Sequence, residues 1–411
     1  MIPGAVTAAL DDIFQHEPPR RMGLAVSGGG DSIALMHAAV PWATAAGVSL
    51  HVVTVDHGLR PESAHEAVMV AAQARALHLS HDTLRWHDWD GSGNLQAAAR
   101  DARRRLIAEW AVPRRIHHVA TGHTLDDQAE TVLLRLARGS GVDGLAGIAA
   151  TTAGAPNWLR PLLGLRRDAL RDWLHGQGIG WADDPSNDDP RFDRVRARAM
   201  LGGLSDLGLT PERLARLAAH MGDARAVLRA QAQMLATRIV TRDGPDLVID
   251  DDGFDAAPPD TRNRLLAAAV MWISSADYRP RYDALSRYMR RSVADTLSGC
   301  LMRQERGCFR LTREYNAVKD LRGATDAPWD RRWHLDGPHD PALHVAALGP
   351  HGLQQCGDWR DTGLPRASLL ATPAIWRGEA LIAAPLAGMT NGWAAKLAKG
   401  RDDFAAFLLS H

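Results

Sequence analysis

Ser27-Gly28-Gly29-Gly30-Asp31-Ser32 lies between a short apolar run, Met22–Val26, and a helical run, Ile33–Val40, expected to stop at Pro41. Glycines there let the backbone approach a polyanion closely, and successive N–H groups at a helix N-terminus point at phosphate oxygens. The two serine hydroxyls add further donors. Asp31 repels a bare phosphate, so its presence implies a bridging cation such as Mg²⁺. Neither common nucleotide fingerprint fits, because the lysine of G-x-x-x-x-G-K-S/T and the G-x-G-x-x-G spacing are both missing. The bland alternative is a turn that binds nothing; the strand–loop–helix setting weighs against it.

Working outward, Leu50–Val55 is a β-branched strand, Ser63–Leu77 and Leu95–Trp110 are helical runs, and Ile116–Ala120 is a strand followed by a helix to Arg138. This alternation predicts an α/β fold with a parallel, doubly wound, Rossmann-like N-terminal domain. Ligands in such sheets bind beyond the carboxyl ends of the strands. Two more blocks reach that edge: Val55-Asp56-His57-Gly58-Leu59-Arg60-Pro61-Glu62-Ser63, and Gly122-His123-Thr124-Leu125-Asp126-Asp127-Gln128-Ala129-Glu130-Thr131. The first could flank a nucleotide base, although by itself it is an ordinary strand-exit turn. In the second, Thr124 caps a helix whose stripe Leu125, Ala129, Val132, Leu133 and Leu136 is expected to pack on the sheet. Asp127 and Glu130 lie opposite that stripe, with His123 just before the cap. Carboxylates so placed are usually solvated, but their position on the phosphate-loop edge makes them site candidates.

The composition bounds the rest. At 411 residues, with 48 Lys+Arg against 48 Asp+Glu and 45% hydrophobic residues, the chain is ordinary globular protein of two to three domains. Cys300, Cys308 and Cys356 form no C-x-x-C pair, which excludes a disulfide framework and a thiolate metal site. No secretory leader is read, and Ala380–Ala395 is too short and broken to span a bilayer, so a cytoplasmic address with no membrane partner is expected. After the turn-rich Asp183–Pro190, Thr210-Pro211-Glu212 opens a long helix to about Val240. Residues 205–322 read as mainly helical. Within them, 279–322 hold eleven Arg/Lys against five Asp/Glu, with Tyr282, Tyr288, Phe309 and Tyr315 interleaved, a backbone-contacting surface for nucleic acid or else a solvated helical face over buried aromatics. From about 330, short strand-like pieces (Ala374–Trp376, Ala380–Ala383) suggest a small α+β domain. The expected division is 1–203, 204–325 and 326–411.

The S-G-G-x-D-S pattern resembles the pyrophosphate (PP) loop of the N-type ATP pyrophosphatases. The ordered series of the three blocks, Arg135–Ile148, Arg160-Pro161-Leu162-Leu163 and Asp184-Pro185-Ser186-Asn187 with Arg194, Arg196 and Arg198 resembles the bacterial tRNA(Ile)-lysidine synthase family. The likeness is dense over about 20–200 and sparser in Thr296–Gly299 and Pro373–Ala383. Two positions depart from it: Val195 where asparagine is usual, and Arg104 where tyrosine is usual.

The resemblance implies ATP and Mg²⁺ as cofactors, with L-lysine and the isoleucine tRNA bearing a CAU anticodon as partners. A homodimer is compatible with the sequence, which leaves the oligomeric state open. The implied reaction adenylates the wobble cytidine, releases pyrophosphate, and then joins lysine to carbon 2 with loss of AMP. Residues Ser27, Gly28, Gly29, Gly30, Asp31 and Ser32 would hold the nucleotide, and Asp31 and Asp127 the metal. Arg103 and Arg194 would stabilise developing charge, Glu130 would take the lysine amine, and His123 would lie near phosphate; His123, Asp127 and Glu130 all remain open as the general base. The rival readings are another PP-loop tRNA-modifying enzyme, such as a thiolase, and an inactive RNA-binding protein.

Overall fold

The computed structural model describes residues 2–15, 17–58, 61–86, 89, 95–183, 189, 191–289 and 296–410. The Asp184–Asn187 segment, Leu59-Arg60 and 290–295 therefore lie outside the described residues. The chain divides into two compact units, Met1–Arg225 and Ala226–His411.

The first unit runs α1 (Ile2–Phe14), β1 (Arg21–Ala25), α2 (Gly30–Ala46), β2 (Ser49–Asp56), α3 (Pro61–Ala76), β3 (Ser80–Arg85), α4 (Leu95–Ala111), β4 (His118–Thr121), α5 (Leu125–Ala137), α6 (Val142–Leu145), β5 (Thr151–Thr152), β6 (Asn157–Leu159), α7 (Arg167–Gly176), α8 (Asp193–Leu204) and the start of α9 (Pro211–Ile239). Its sheet has the order β3-β2-β1-β4-β6-β5. All pairings are parallel except β5 with β6, so the doubly wound α/β expectation holds. One core packs Val6 and Leu10 of α1, Ile33, Leu35 and Met36 of α2, and Leu170 and Leu174 of α7 against Met22 and Leu24. A separate core sets Ile107 and Trp110 of α4 on Val53, Val119 and Trp158. The order reverses between β1 and β4, and at such a switch the loops leaving two neighbouring strands part to open a crevice.

Two local expectations need correction. Helix α2 does not stop at Pro41 but continues to Ala46. The lost backbone hydrogen bond is offset by burial of Trp42 and Ala43, and the Trp42 indole N–H donates to Asp11 at 2.8 Å. The apolar stripe of α5 does not pack on the sheet; Ala129 and Val132 bury against Leu201 of α8 and Leu214 and Ala218 of α9, while Leu136 is half exposed. With helices covering that side, the opposite face of α5 is the one turned to the crevice.

The second unit contains the rest of α9, β7 (Val240–Asp243), β8 (Asp246–Asp250), α10 (Asp251–Asp255), α11 (Pro259–Ser274), α12 (Tyr282–Tyr288), β9 (Thr296–Leu297), β10 (Cys300–Glu305), β11 (Cys308–Arg313), β12 (Arg322–Ala324), β13 (Trp333–Asp336), β14 (His344–Ala347), α13 (Gly349–Gln355), α14 (Arg366–Leu370), β15 (Pro373–Arg377), β16 (Ala380–Ala383), β17 (Ala394–Leu397) and α15 (Phe404–Ser410). The stretch 205–322 is mainly helical, as expected, but also holds the antiparallel sheet β7-β8-β11-β10-β9, which the sequence pattern did not signal. Its core centres on α11, and Phe404, Phe407 and Leu408 of α15 return to it. Later strands form the sheets β12-β14-β15-β16 and β13-β17.

The interleaved aromatics of 279–322 are largely interior. Tyr288 and Phe309 are buried in this core, and Tyr315 packs on the later apolar clusters. Arg310 is buried too, bonded to Asp243, Asp246 and Glu305. Tyr282 remains exposed, as does Tyr278 just outside the stretch, beside the exposed Arg279 and Arg281. No helix among the described residues is long and apolar enough to cross a membrane.

Candidate active site

The glycine loop leaves β1 and enters the N-terminus of α2. Gly28 has φ +96, a conformation that side chains strain to adopt, and a Cβ there would sit 3.2 Å from the Glu66 Cβ. The loop is knitted internally: the Ser32 hydroxyl donates to Gly29 O at 2.8 Å and accepts the Ser27 N–H at 3.2 Å. Ala182 N–H donates to Gly28 O at 3.0 Å, bracing the turn from the far side.

The exit of β4 presses on this loop. A Cβ on Gly122 would lie 3.0 Å from three backbone atoms of Asp31 and Ser32, so only glycine fits without displacing the loop. Thr124 then caps α5, accepting the Asp127 N–H through its hydroxyl. Asp127 completes the capping box: its Oδ2 accepts from Thr124 N–H at 2.8 Å and from the Thr124 hydroxyl at 2.9 Å.

Asp127 and Glu130 are buried rather than solvated, Glu130 being only 1% exposed. Both meet Asp31 at one guanidinium, that of Arg167. Its Nε donates to Asp31 Oδ2 at 3.0 Å, its Nη2 to Asp127 Oδ1 at 3.1 Å and its Nη1 to Glu130 Oε1 at 3.4 Å. Two arginines of α8, four residues apart and hence on one helical face, add to the cluster. Arg198 Nε donates to Glu130 Oε1 at 2.9 Å, and Arg194 Nη1 lies 3.8 Å from Asp127 Oδ1. Arg196, between them, turns away to Asp193.

The environment separates the titrations. Burial raises the Asp31 carboxyl above its ordinary range despite Arg167. At Asp127 burial pushes the same way, but Arg167, the Thr124 donors and His123 outweigh it and hold the carboxyl low. Burial lowers the His123 imidazole to about 4; the fields of Arg160, Arg194 and Arg100 reinforce it, and Asp127 opposes it. His123 is therefore neutral near pH 7. The Thr121 hydroxyl lies 2.9 Å from His123 Nδ1 and 3.2 Å from Leu159 O, tying the imidazole to the end of β4.

The fold thus brings together Asp31, His123, Asp127, Glu130 and Arg194. Arg103 stands by the second block instead, its Nη2 donating to His57 Nε2 at 2.8 Å. In that block Asp56 accepts the Ser63 hydroxyl at 2.5 Å and the Gly58 N–H at 2.9 Å, which hold its carboxyl below the usual range. Arg104 places its guanidinium over the Trp158 ring at 5.3 Å. Sequence reasoning missed Arg167 and carried Arg160 and Arg198 only as motif residues, without a role in the site. Only the cluster of charged residues after Arg160-Pro161-Leu162-Leu163 hinted at Arg167.

As for Mg²⁺, no cluster of three or more His, Cys, Asp or Glu able to hold a metal occurs among the described residues. Asp31 and Asp127 would nonetheless suit a divalent ion beside the phosphates, since both carboxylates already face one cation.

A phosphate-type loop and a carboxylate cluster at a parallel-sheet switch define an ATP-using PP-loop domain, and the family model described as the PP-loop domain matches residues 4–203. A tRNA(Ile)-lysidine synthase from Ruegeria pomeroyi is 48% identical over 403 residues, covering 97% of this chain and 96% of that one. Another from Bradyrhizobium is 45% identical over 259 residues, covering 60% and 72%. The chain belongs to the tRNA(Ile)-lysidine synthase family. Among solved structures, a U34-tRNA thiolase from Methanococcus maripaludis aligns with a TM-score of 0.46 at 15% identity, covering 54% of this chain and 77% of that one.

Proposed function

We propose that the chain ligates free L-lysine to carbon 2 of the wobble cytidine in the CAU anticodon of isoleucine tRNA, cleaving ATP to AMP and pyrophosphate through an adenylated cytidine. The observation that carries this reading is the meeting of the Ser27–Ser32 loop with Asp31, Asp127 and Glu130 at one sheet switch.

The carbon-2 oxygen has no tendency to leave, and adenylation makes it expellable. Residues 27–32 hold the departing pyrophosphate with backbone N–H groups and serine hydroxyls. Asp31 and Asp127 would hold Mg²⁺, which would neutralise charge on the phosphates. Arg194, with Arg103 across the crevice edge, offsets charge that develops in the transfer. A polyphosphate arriving beside His123 would raise the imidazole from its value of about 4 and let it donate a hydrogen bond.

Lysine must then attack as a free amine. With a reference pKa of about 10.4, only ~0.1% is neutral near pH 7.4, a gap of roughly 4 kcal/mol. Glu130 receives the ammonium and can accept its proton. Residues 204–325 and 326–411 serve as two tRNA-binding parts, Arg279 and Arg281 with Tyr278 and Tyr282 contacting RNA. The protein works in the cytoplasm, as a homodimer or singly.

The test is mass analysis of the wobble nucleoside after incubation with CAU-anticodon tRNA, ATP, Mg²⁺ and isotopically labelled lysine. A labelled-lysine adduct that disappears in Asp31→Ala is expected. Pyrophosphate release that needs no lysine-accepting tRNA, or that survives Asp31→Ala, would count against the proposal.

A further inference from the structure

Arg167 opens α7, and its backbone is pinned to the start of α5: its N–H donates to Asp126 Oδ2 at 2.7 Å, and Leu125 N–H donates to Leu165 O at 2.9 Å. From that anchor the guanidinium spends one nitrogen on each of Asp31, Asp127 and Glu130. The second oxygen of Asp127 is already occupied by Thr124. The second oxygens of Asp31 (Oδ1) and Glu130 (Oε2) are buried and have no hydrogen-bond partner among the described residues. Buried carboxylate oxygens are normally satisfied, so this pair of open acceptors is a feature that needs a donor. An alkylammonium brings three N–H donors and one positive charge on a single atom.

We infer that Arg167 is a positioning residue for the amine step: it ties Asp31 and Glu130 to one centre, so that their two open oxygens receive the substrate ammonium together. The inference rests on the ligase reading above. A lysine at 167 would keep the charge but, as a point donor, would not bridge three carboxylates at fixed angles. Arg198 keeps Glu130 paired in the variant, so what is lost is the fixed spacing of the three carboxylates.

The test compares Arg167→Lys and Arg167→Gln with the parent protein. The expected result is a KM for lysine raised about tenfold or more, against a change in KM for ATP of less than about threefold. Millimolar guanidinium should restore part of the rate of Arg167→Gln. Lysine added without ATP or tRNA should raise the thermal midpoint of the parent protein and leave that of Arg167→Lys unmoved. Equal losses toward lysine and ATP in a cooperatively folded Arg167→Lys, or an unchanged lysine KM, would overturn the assignment. Should Arg167→Gln not fold, Arg167→Lys carries the comparison. If the parent protein forms no lysidine, the ligase reading fails, while the lysine-induced thermal shift still reports on Arg167.

Discussion

Acidification from about pH 7.5 to about pH 5.5 should weaken the fold through His123. Its imidazole titrates at about 4 in the folded protein against 6.5 in a free chain. The folded value is depressed, so the stabilisation is complete above 6.5 and declines as pH falls toward 4, because the unfolded chain takes up the proton first. At pH 5.5 the unfolded imidazole is ~90% protonated, which corresponds to about 1.4 kcal/mol lost, rising to about 3 kcal/mol by pH 4. His123→Asn lacks this titration but keeps the half-buried histidines His51, His81 and His118, whose lowered values contribute equally to both proteins. Urea unfolding of both at the two pH values should show the parent losing about 1.4 kcal/mol more than the variant. Nitrogen-15 spectra of the imidazole should place its midpoint near 4, moving upward when ATP is added. Equal acid losses in parent and variant, or a midpoint between 6 and 7 without nucleotide, would refute the reasoning.

Gly122→Ala should cost roughly 1–3 kcal/mol, because the new methyl meets backbone that cannot rotate away, and it should weaken ATP binding without altering any charged group; a thermal scan with a nucleotide titration reads both effects. Tyr278→Ala with Tyr282→Ala should lower tRNA affinity by about 1–3 kcal/mol per stacked base and leave thermal stability within roughly 0.5 kcal/mol. Tyr288→Ala should instead cost about 3–5 kcal/mol of stability, since that ring lies in the core. Unfolding curves alongside tRNA filter binding separate the two classes.

What could be read in advance follows from range. The glycine loop, its strand and its helix are local, and each announces itself within about ten residues. The α5 cap is local too, and Thr124 caps the helix as expected, although the reciprocal bond from Asp127 was not read in advance. The side to which α5 turns its apolar stripe was not legible, because Leu201, Leu214 and Ala218 belong to helices some seventy to ninety residues onward. Arg167 was hidden for the same reason: it lies 136 residues from Asp31 and 37 from Glu130, in a chain where all but three of 48 basic residues are arginine. The sheet of the second unit escaped because Cys300–Glu305 and Cys308–Arg313 carry polar residues on both faces, which masks the alternation of a half-buried strand.

Asp127 holds two posts at once. One oxygen starts α5, and the other neutralises a guanidinium shared with Asp31 and Glu130. Loss of turnover after replacing it with alanine would therefore conflate a frayed helix with missing chemistry. An asparagine would keep an oxygen for the helix and surrender the charge, so the pair of substitutions separates architecture from reaction at a single position.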